Sequence, residues 1–235
     1  AKAALSAGAN IFENTAAILY KVHDSYVRVE TQKGSIKADR VILACNGYLG
    51  TLEKRLTSKI LPMNNYIVAT KPLDDEMVKK INPRDIAFAD SRFVVNYFRL
   101  SADKRLLFGG GENYSKELSN NIAPIVTKPL EKIYPFLKGI KIDYAWGGKL
   151  AITMNRLPFF TTLYNDKVIS AQGYSGQGVA LASYSGKIVS EKITGDGKTF
   201  DIMSSIPRKS FPGGRFLRNP SMKIGMLYYS LLDRI

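Results

Sequence analysis

The chain of 235 residues contains one cysteine, one histidine and one tryptophan. A single cysteine, Cys45 in the apolar run RVILACNGY, cannot close an internal disulfide. That excludes a cross-linked secreted scaffold and makes a reducing compartment the expectation. The only histidine, His23, lies in the polar stretch KVHDSYV, which reads as an exposed hairpin tip. No metal site is expected, and any chemistry has to manage without histidine. No apolar run reaches about 18 residues and no signal-peptide pattern opens the chain, so a soluble cytoplasmic protein without an integral membrane segment is expected. Repeats and low-complexity linkers are also missing.

What is present suits a globular core: 45% of residues are hydrophobic and 11% aromatic. Basic residues outnumber acidic ones, 34 to 20. Lysine and arginine are nevertheless scattered, with only modest concentration in IPRKSFPGGRFLRNPSMK. Scatter reads as a solvated basic face rather than a nucleic-acid stripe. The C-terminal SMKIGMLYYSLLDRI has helical apolar spacing and basic neighbours; it packs back on the protein or on a partner subunit, or makes peripheral contact with a membrane surface.

Along the chain, AKAALSAGANIFENT reads as the end of a helix, a glycine turn and the start of a strand, and NIFENTAAILYKV, YVRVETQKG and SIKADRVILACNGY follow as β-rich runs. VILAC shows no polar alternation, as expected for a strand buried on both faces. LGTLEKRLT predicts a short helix. LPMNNYIVATKPL reads as a strand and EMVKKINP as a short helix, and AFADSRFVVNYFRLSADKRLLFGGG predicts two long strands joined by SADK. NNIAPIVTKPLEKIYPFL has helical spacing, with Pro124 suited to a first turn and Pro129 expected to bend or delay the helix. With the strand KIDYAWGGKLAIT, these elements predict a mostly antiparallel sheet with a helix on one face, inserted between two parts of a layered α/β domain.

GYSGQGVALASYSGK is the most informative stretch. It follows a buried strand (residues 168–171) and opens a helix from about Gly178 to Thr194, closed by Gly195. Gly173, Gly176 and Gly178 permit unusual backbone angles and let something flat lie against the main chain, while the first-turn amides of the helix favour partial negative charge. Taken alone, the pattern also fits a tight strand-to-helix turn with no ligand. Its spacing is G-x-x-G-x-G, and no G-x-G-x-x-G follows a strand elsewhere in the chain.

Together, ADRVILACNGYLG and VISAQGYSGQGVALAS resemble the two downstream flavin-contacting segments of the D-amino-acid oxidase-like family of FAD-dependent amine oxidoreductases. VVNYFRLSADKRLLFGGGE, YAWGGKLAITMNRLP and the tail FPGGRFLRNPSMKIGMLYYSLLDRI are similar to the gamma-glutamylputrescine oxidase branch of that family. The resemblance implies an α/β (α+β) fold: residues 1–57 as the first part of an FAD-binding domain, 58–149 as a substrate domain, 150–200 as the last part of the FAD-binding domain and 201–235 as a C-terminal tail. It also implies a C-terminal portion, because the family carries its G-x-G-x-x-G unit upstream of the GANIFENT strand.

Carried over residue by residue, Ala17 matches an adenine-contacting position, and Ala44, Cys45, Asn46, Gly47 and Tyr48 match the strand end beside the cofactor. Gly148, Gly173, Ser175, Gly176, Gln177, Gly178 and Val179 match positions around the flavin ring. Cys45 is then a packing residue rather than a nucleophile. Relatives with covalent flavin use a cysteine shortly after the strand that here reads YAWGGK; Gly148 and Lys149 stand there instead, implying noncovalent FAD. The implied activity is oxidation of a small-molecule amine, such as gamma-glutamylputrescine, to imine and then aldehyde, with release of ammonia and hydrogen peroxide.

For the substrate, Asn96, Tyr97 and Arg99 share one β-run, Tyr97 and Arg99 on one face and Asn96 on the other. Arg99 suits a substrate carboxylate, and Tyr97 or Trp146 could wall the amine; a strand-surface arginine and core aromatics are the plain alternatives. Met154 and Asn155 read as an active-site turn or as packing. Sarcosine oxidase-like members place a lysine after the glycine loop where Ala180 stands here, which keeps an amine dehydrogenase open as a reading. A basic noncatalytic α/β module that binds an anionic partner is the other alternative.

Overall fold

A computed structural model of the chain describes residues 1–92, 95–113 and 117–214, together with 217, 220, 224 and 225. A short helix α1 (Lys2–Ser6) precedes three antiparallel strands, β1 (Ala17–Val22), β2 (Val27–Thr31) and β3 (Gly34–Ala38). His23 lies exposed in the β1–β2 turn, its ring stacked on Tyr26. Strand β4 (Val41–Leu43) runs into a one-turn 3-10 helix at Asn46–Tyr48 and then helix α2 (Lys54–Thr57).

Next come β5 (Leu61–Pro72), α3 (Asp75–Ile81), β6 (Phe88–Ala89), β7 (Tyr97–Leu100), β8 (Arg105–Asn113), α4 (Ala123–Ile133) and β9 (Ile142–Ile152). The five strands form an antiparallel sheet in the order β6-β7-β8-β5-β9. Period-two alternation sends Tyr66, Val68, Leu106 and Phe108 to one face, where Val126 and Leu130 of α4 seal them completely. Each such side chain contributes about 2 kcal/mol by leaving water. The opposite face carries Ile67, Leu107 and Trp146 and is open.

Strands β10 (Phe159–Leu163) and β11 (Val168–Gln172) pair antiparallel, and β11 pairs in parallel with β4. Helices α5 (Gly178–Thr194) and α6 (Lys198–Ser205) follow. Ile169 and Ala171 pack beneath α5 and α6 against Ile188, Val189 and Phe200. Val168 faces the other way, toward Leu43, Leu56, Ala151 and Phe159. Every residue of β11 is therefore buried, the polar Ser170 and Gln172 included.

The structure departs from the sequence pattern in four places. No strand forms in GANIFENT: residues 8–16 are irregular, and Ile11 and Phe12 are exposed, because β1 finds only β2 as a neighbour and begins at Ala17. VILAC is not buried on both faces; β4 has a single neighbour, β11, and Ile42 stays 48% exposed. The hairpin around SADK joins unequal strands, β7 having four residues and β8 nine. Pro129 lies inside α4 without delaying it, so the helix forgoes one backbone bond but keeps its apolar face on the sheet. The C-terminal segment from residue 226 onward lies outside the described residues.

A buried carboxylate joins these pieces. Glu53, only 7% exposed, caps α2 by accepting the Arg55 amide at 3.0 Å. It also accepts the Tyr20 hydroxyl of β1 at 2.5 Å and the Arg55 guanidinium at 3.0 and 3.1 Å. That guanidinium lies 4.3 Å over the Tyr164 ring in the β10–β11 turn. Burial alone would raise the Glu53 carboxyl, but the hydrogen bonds from Arg55 and Tyr20 overcome it and hold the group down to about 2. Its stabilisation is therefore present above the unfolded value of 4.5 and lost as pH falls toward 2. Glu53→Ala is expected to lower the unfolding free energy by about 2–3 kcal/mol at neutral pH. In urea titrations, the acid-dependent decline below pH 4.5 should be shallower in the variant than in the wild type.

Candidate functional site

Three segments far apart in sequence meet at the C-terminal ends of β4 and β11. Asn46, at a left-handed φ of +48°, turns its side chain so that Oδ1 accepts the Gly173 N–H at 3.1 Å. The Ser175 N–H donates to the Ala151 carbonyl at 2.9 Å, and the Thr153 N–H donates back to Ser175 Oγ at 3.2 Å. The Lys149 N–H donates to Tyr48 Oη at 3.0 Å. The 46–48 turn, the end of β9 and the glycine loop are thus stitched together.

Two glycines are required by this assembly. A Cβ at Gly47 would overlap the Lys149 carbonyl oxygen, so the 3-10 turn can lie against β9 only with glycine there. Gly173 has φ +79°, and a Cβ on it would sit 2.6 Å from Thr153 Cγ2. Gly176 meets nothing: a Cβ there would face open space. Beyond it, α5 starts at Gly178 with no side-chain cap on its first-turn amides, and Val179 is 99% exposed.

The sequence-predicted residues fall into groups. Asn46, Gly47, Tyr48, Gly173 and Ser175 are brought together by the hydrogen bonds and close contacts above, Gly148 faces Tyr48 Oη, and Gly176, Gln177, Gly178 and Val179 extend the loop outward. Ala44 is exposed beside them, whereas half-buried Cys45 packs toward Leu43 and Leu56, and burial pushes its thiol up. Ala17 opens β1 in the separate three-stranded sheet. Tyr97, Arg99 and Trp146 line one cleft of ≈ 200 Å³ on the open face of the five-stranded sheet, with Phe88, Ile67 and Gly109. Asn96 is not among them. It is buried just ahead of β7, its Nδ2 donating to Asp90 at 2.6 Å. Met154 is 46% exposed, and Asn155 reaches the Pro207 carbonyl at 3.2 Å, fastening the tail to this turn.

The cleft and the stitched segments share a face of β9. Trp146 lies opposite Ile67 and Gly148 opposite Asn65, one pleat repeat further along. A second cavity of ≈ 240 Å³ opens where Asn46, Tyr48, Glu117 and Lys149 converge. Sequence reasoning missed Asn65, Thr153 and Ser175's partner Ala151, since nothing in their local pattern separates them from ordinary strand residues.

This arrangement of a five-stranded antiparallel sheet beside a glycine loop at the end of a parallel strand pair defines a class of fold. It matches glycine oxidase from Bacillus cereus with a TM-score of 0.69, covering 88% of this chain and 56% of that one at 18% identity. It also matches L-proline dehydrogenase from P. horikoshii with a TM-score of 0.63, covering 81% and 52% at 25% identity. The chain belongs to the FAD dependent oxidoreductase (DAO) family, which it matches over residues 1–192. It is 39% identical across 100% of its length to "Probable oxidoreductase OrdL" of Rhizobium meliloti, covering 54% of that protein. It is 36% identical across 97% of its length to "Gamma-glutamylputrescine oxidoreductase" of Escherichia coli, covering 53% of that one. The chain therefore spans about half the length of the curated relatives it matches.

The Asn46 latch is open to test by urea unfolding. Asn46→Gly keeps the left-handed backbone and removes only the bond to Gly173, so a loss of about 1 kcal/mol is expected. Asn46→Ala adds left-handed strain of about 1 kcal/mol to that loss.

Proposed function

We propose that this chain supplies the substrate cleft and one wall of the flavin site of an amine oxidase that holds FAD noncovalently and acts on gamma-glutamylputrescine or a related small-molecule amine. The observation that carries the proposal is the adjacency of Trp146, in the cleft, and Gly148, beside Tyr48, on one face of β9. The residues present suit a large flat cofactor. The loop at Gly176 is open and the first amides of α5 are uncapped, whereas the Gly173, Ser175 and Gln177 N–H groups already donate within the protein.

In this reading Ala44, Cys45, Asn46, Gly47, Tyr48, Gly148, Gly173, Ser175, Gly176, Gln177, Gly178 and Val179 would hold the flavin, and Ala17 would meet the adenine. The uncapped amides at the start of α5 would favour negative charge on a bound flavin. FAD, when bound, supplies the acceptor for a hydride from the amine α-carbon. The cleft residues orient that carbon and exclude bulk water, Tyr97 and Trp146 as walls and Arg99 as a partner for a distal carboxylate. Amine, oxygen and water then yield aldehyde, ammonia and hydrogen peroxide. A cytoplasmic setting suits the half-buried Cys45 thiol, and no described helix is long and apolar enough to cross a membrane. Residues 58–149 form the substrate domain in this scheme, although β9 continues unbroken to Ile152.

One observation favours a second reading, an amine dehydrogenase: Ala180, exposed in the first turn of α5, offers no cation beside the flavin. Expressed with its flanking coding sequence, the protein should carry a flavin that acid or heat releases, bleach anaerobically with gamma-glutamylputrescine, and form hydrogen peroxide in air. Bleaching without peroxide selects the dehydrogenase, and no bleaching with any amine overturns the proposal. Arg99→Ala should raise KM for gamma-glutamylputrescine about tenfold while leaving that for putrescine, which has no carboxylate, within about twofold.

A further inference from the structure

The segment that follows α6 returns to the start of β5. It lies beyond residues 1–192, over which the chain matches its family, and it is fixed at three places. The Arg208 guanidinium donates to the Ser204 and Met203 carbonyls at 2.7 and 2.6 Å, closing the C-terminal end of α6. Between α2 and β5, Lys59 Nζ donates to the Arg208 carbonyl at 3.2 Å, and the Ser58 carbonyl accepts the Phe211 N–H at 3.0 Å. The Phe211 ring packs against Leu61, Met63 and Ile152, where β5 and β9 pair. Two residues of the same segment also reach the turn between β9 and β10. Asn155 Nδ2 donates to the Pro207 carbonyl at 3.2 Å, and the Arg208 guanidinium lies 5.0 Å over the Phe159 ring.

That turn has little burial to hold it. Met154, Asn155, Arg156 and Leu157 are all exposed, and Arg156 sits at a left-handed φ of +61°, which adds a backbone cost. Yet the turn carries the glycine loop at both of its ends. At one end the buried Thr153 donates its N–H to Ser175 Oγ; at the other Phe159 borders Gly173. A segment with few buried contacts opens readily unless bonds to better-packed elements restrain it. Residues 207–211 supply such bonds, because their own anchors lie on α6, β5 and β9. We propose that residues 207–211 form a strap that positions the glycine loop by holding the β9–β10 turn, with Asn155 as the positioning residue between them, and that the strap thereby governs retention of the cofactor.

The role in retention rests on the flavin reading, and the two fail separately, because amide hydrogen exchange needs no bound flavin. The protein is expressed with its flanking coding sequence. Asn155→Asp keeps the oxygen that accepts the Leu157 N–H but sets a second oxygen against the Pro207 carbonyl. Phe211→Ala removes the anchor on β5 and β9. Each should speed exchange of the amides of residues 173–177 about 5–10-fold while leaving those of α4 unchanged. Release of flavin from the holoenzyme, followed by its fluorescence after dilution, should quicken by about the same factor. Phe211→Leu keeps an apolar anchor and should stay within about twofold of wild type in both measurements. Loop exchange at the wild-type rate in Asn155→Asp, or a rise shared by α4, overturns the strap. Faster loop exchange with flavin released at the wild-type rate overturns its role in retention. A protein that carries no flavin overturns the flavin reading and that role with it, while exchange still decides the strap.

Discussion

Everything at the candidate site depends on how closely the main chain of the 46–48 turn approaches strand β9. Gly47 lies against the Lys149 carbonyl where no side chain fits. That approach brings Tyr48 Oη within reach of the Lys149 amide and leaves Asn46 aimed at Gly173. From Gly173 the loop carries on to Ser175, whose bonds to Ala151 and Thr153 return to the same strand. Each of its four hydrogen bonds has a main-chain amide as donor, and three of the acceptors are side chains, Asn46 Oδ1, Tyr48 Oη and Ser175 Oγ.

The rest of the fold can be understood as support for that circuit. Helix α4 seals one face of the five-stranded sheet and so leaves the other face, with Tyr97, Arg99 and Trp146, to form the cleft. Helices α5 and α6 cover β11 from one side, while Leu43, Leu56 and Ala151 cover it from the other. The strand that launches the glycine loop is consequently the best-buried strand in the described structure. Glu53 ties β1, α2 and the β10–β11 turn together through Tyr20, Arg55 and Tyr164, holding the outer elements in place around this core.

The elements legible in the sequence were those whose signal is local. Residues 168–171 are apolar at three of four positions, α5 begins after a glycine cluster and ends on Gly195 at φ +113°, and Pro124 marks the first turn of α4. Failures came where a neighbour was assumed. Ile11, Phe12 and Ile42 have strand-like apolarity, yet hydrophobic patterning only reports that a residue would be stabilised by burial. Whether a partner layer is there to bury it is a tertiary matter, and at these positions the described residues supply none.

Composition and spacing alone determined the α/β class and the bare strand-to-helix loop, because each depends on residue type within a few positions. Only the tertiary structure decided which predicted residues act together. It joined Tyr97, Arg99 and Trp146 from two strands into one cleft, withdrew Asn96 into a buried bond with Asp90, and bonded Tyr97 to Asn65, which no local pattern singles out. The reason is geometric: β5, β7 and β9 are separated by 25 or more residues in sequence, and hydrogen-bonded register, rather than propensity, sets which of their side chains share a face.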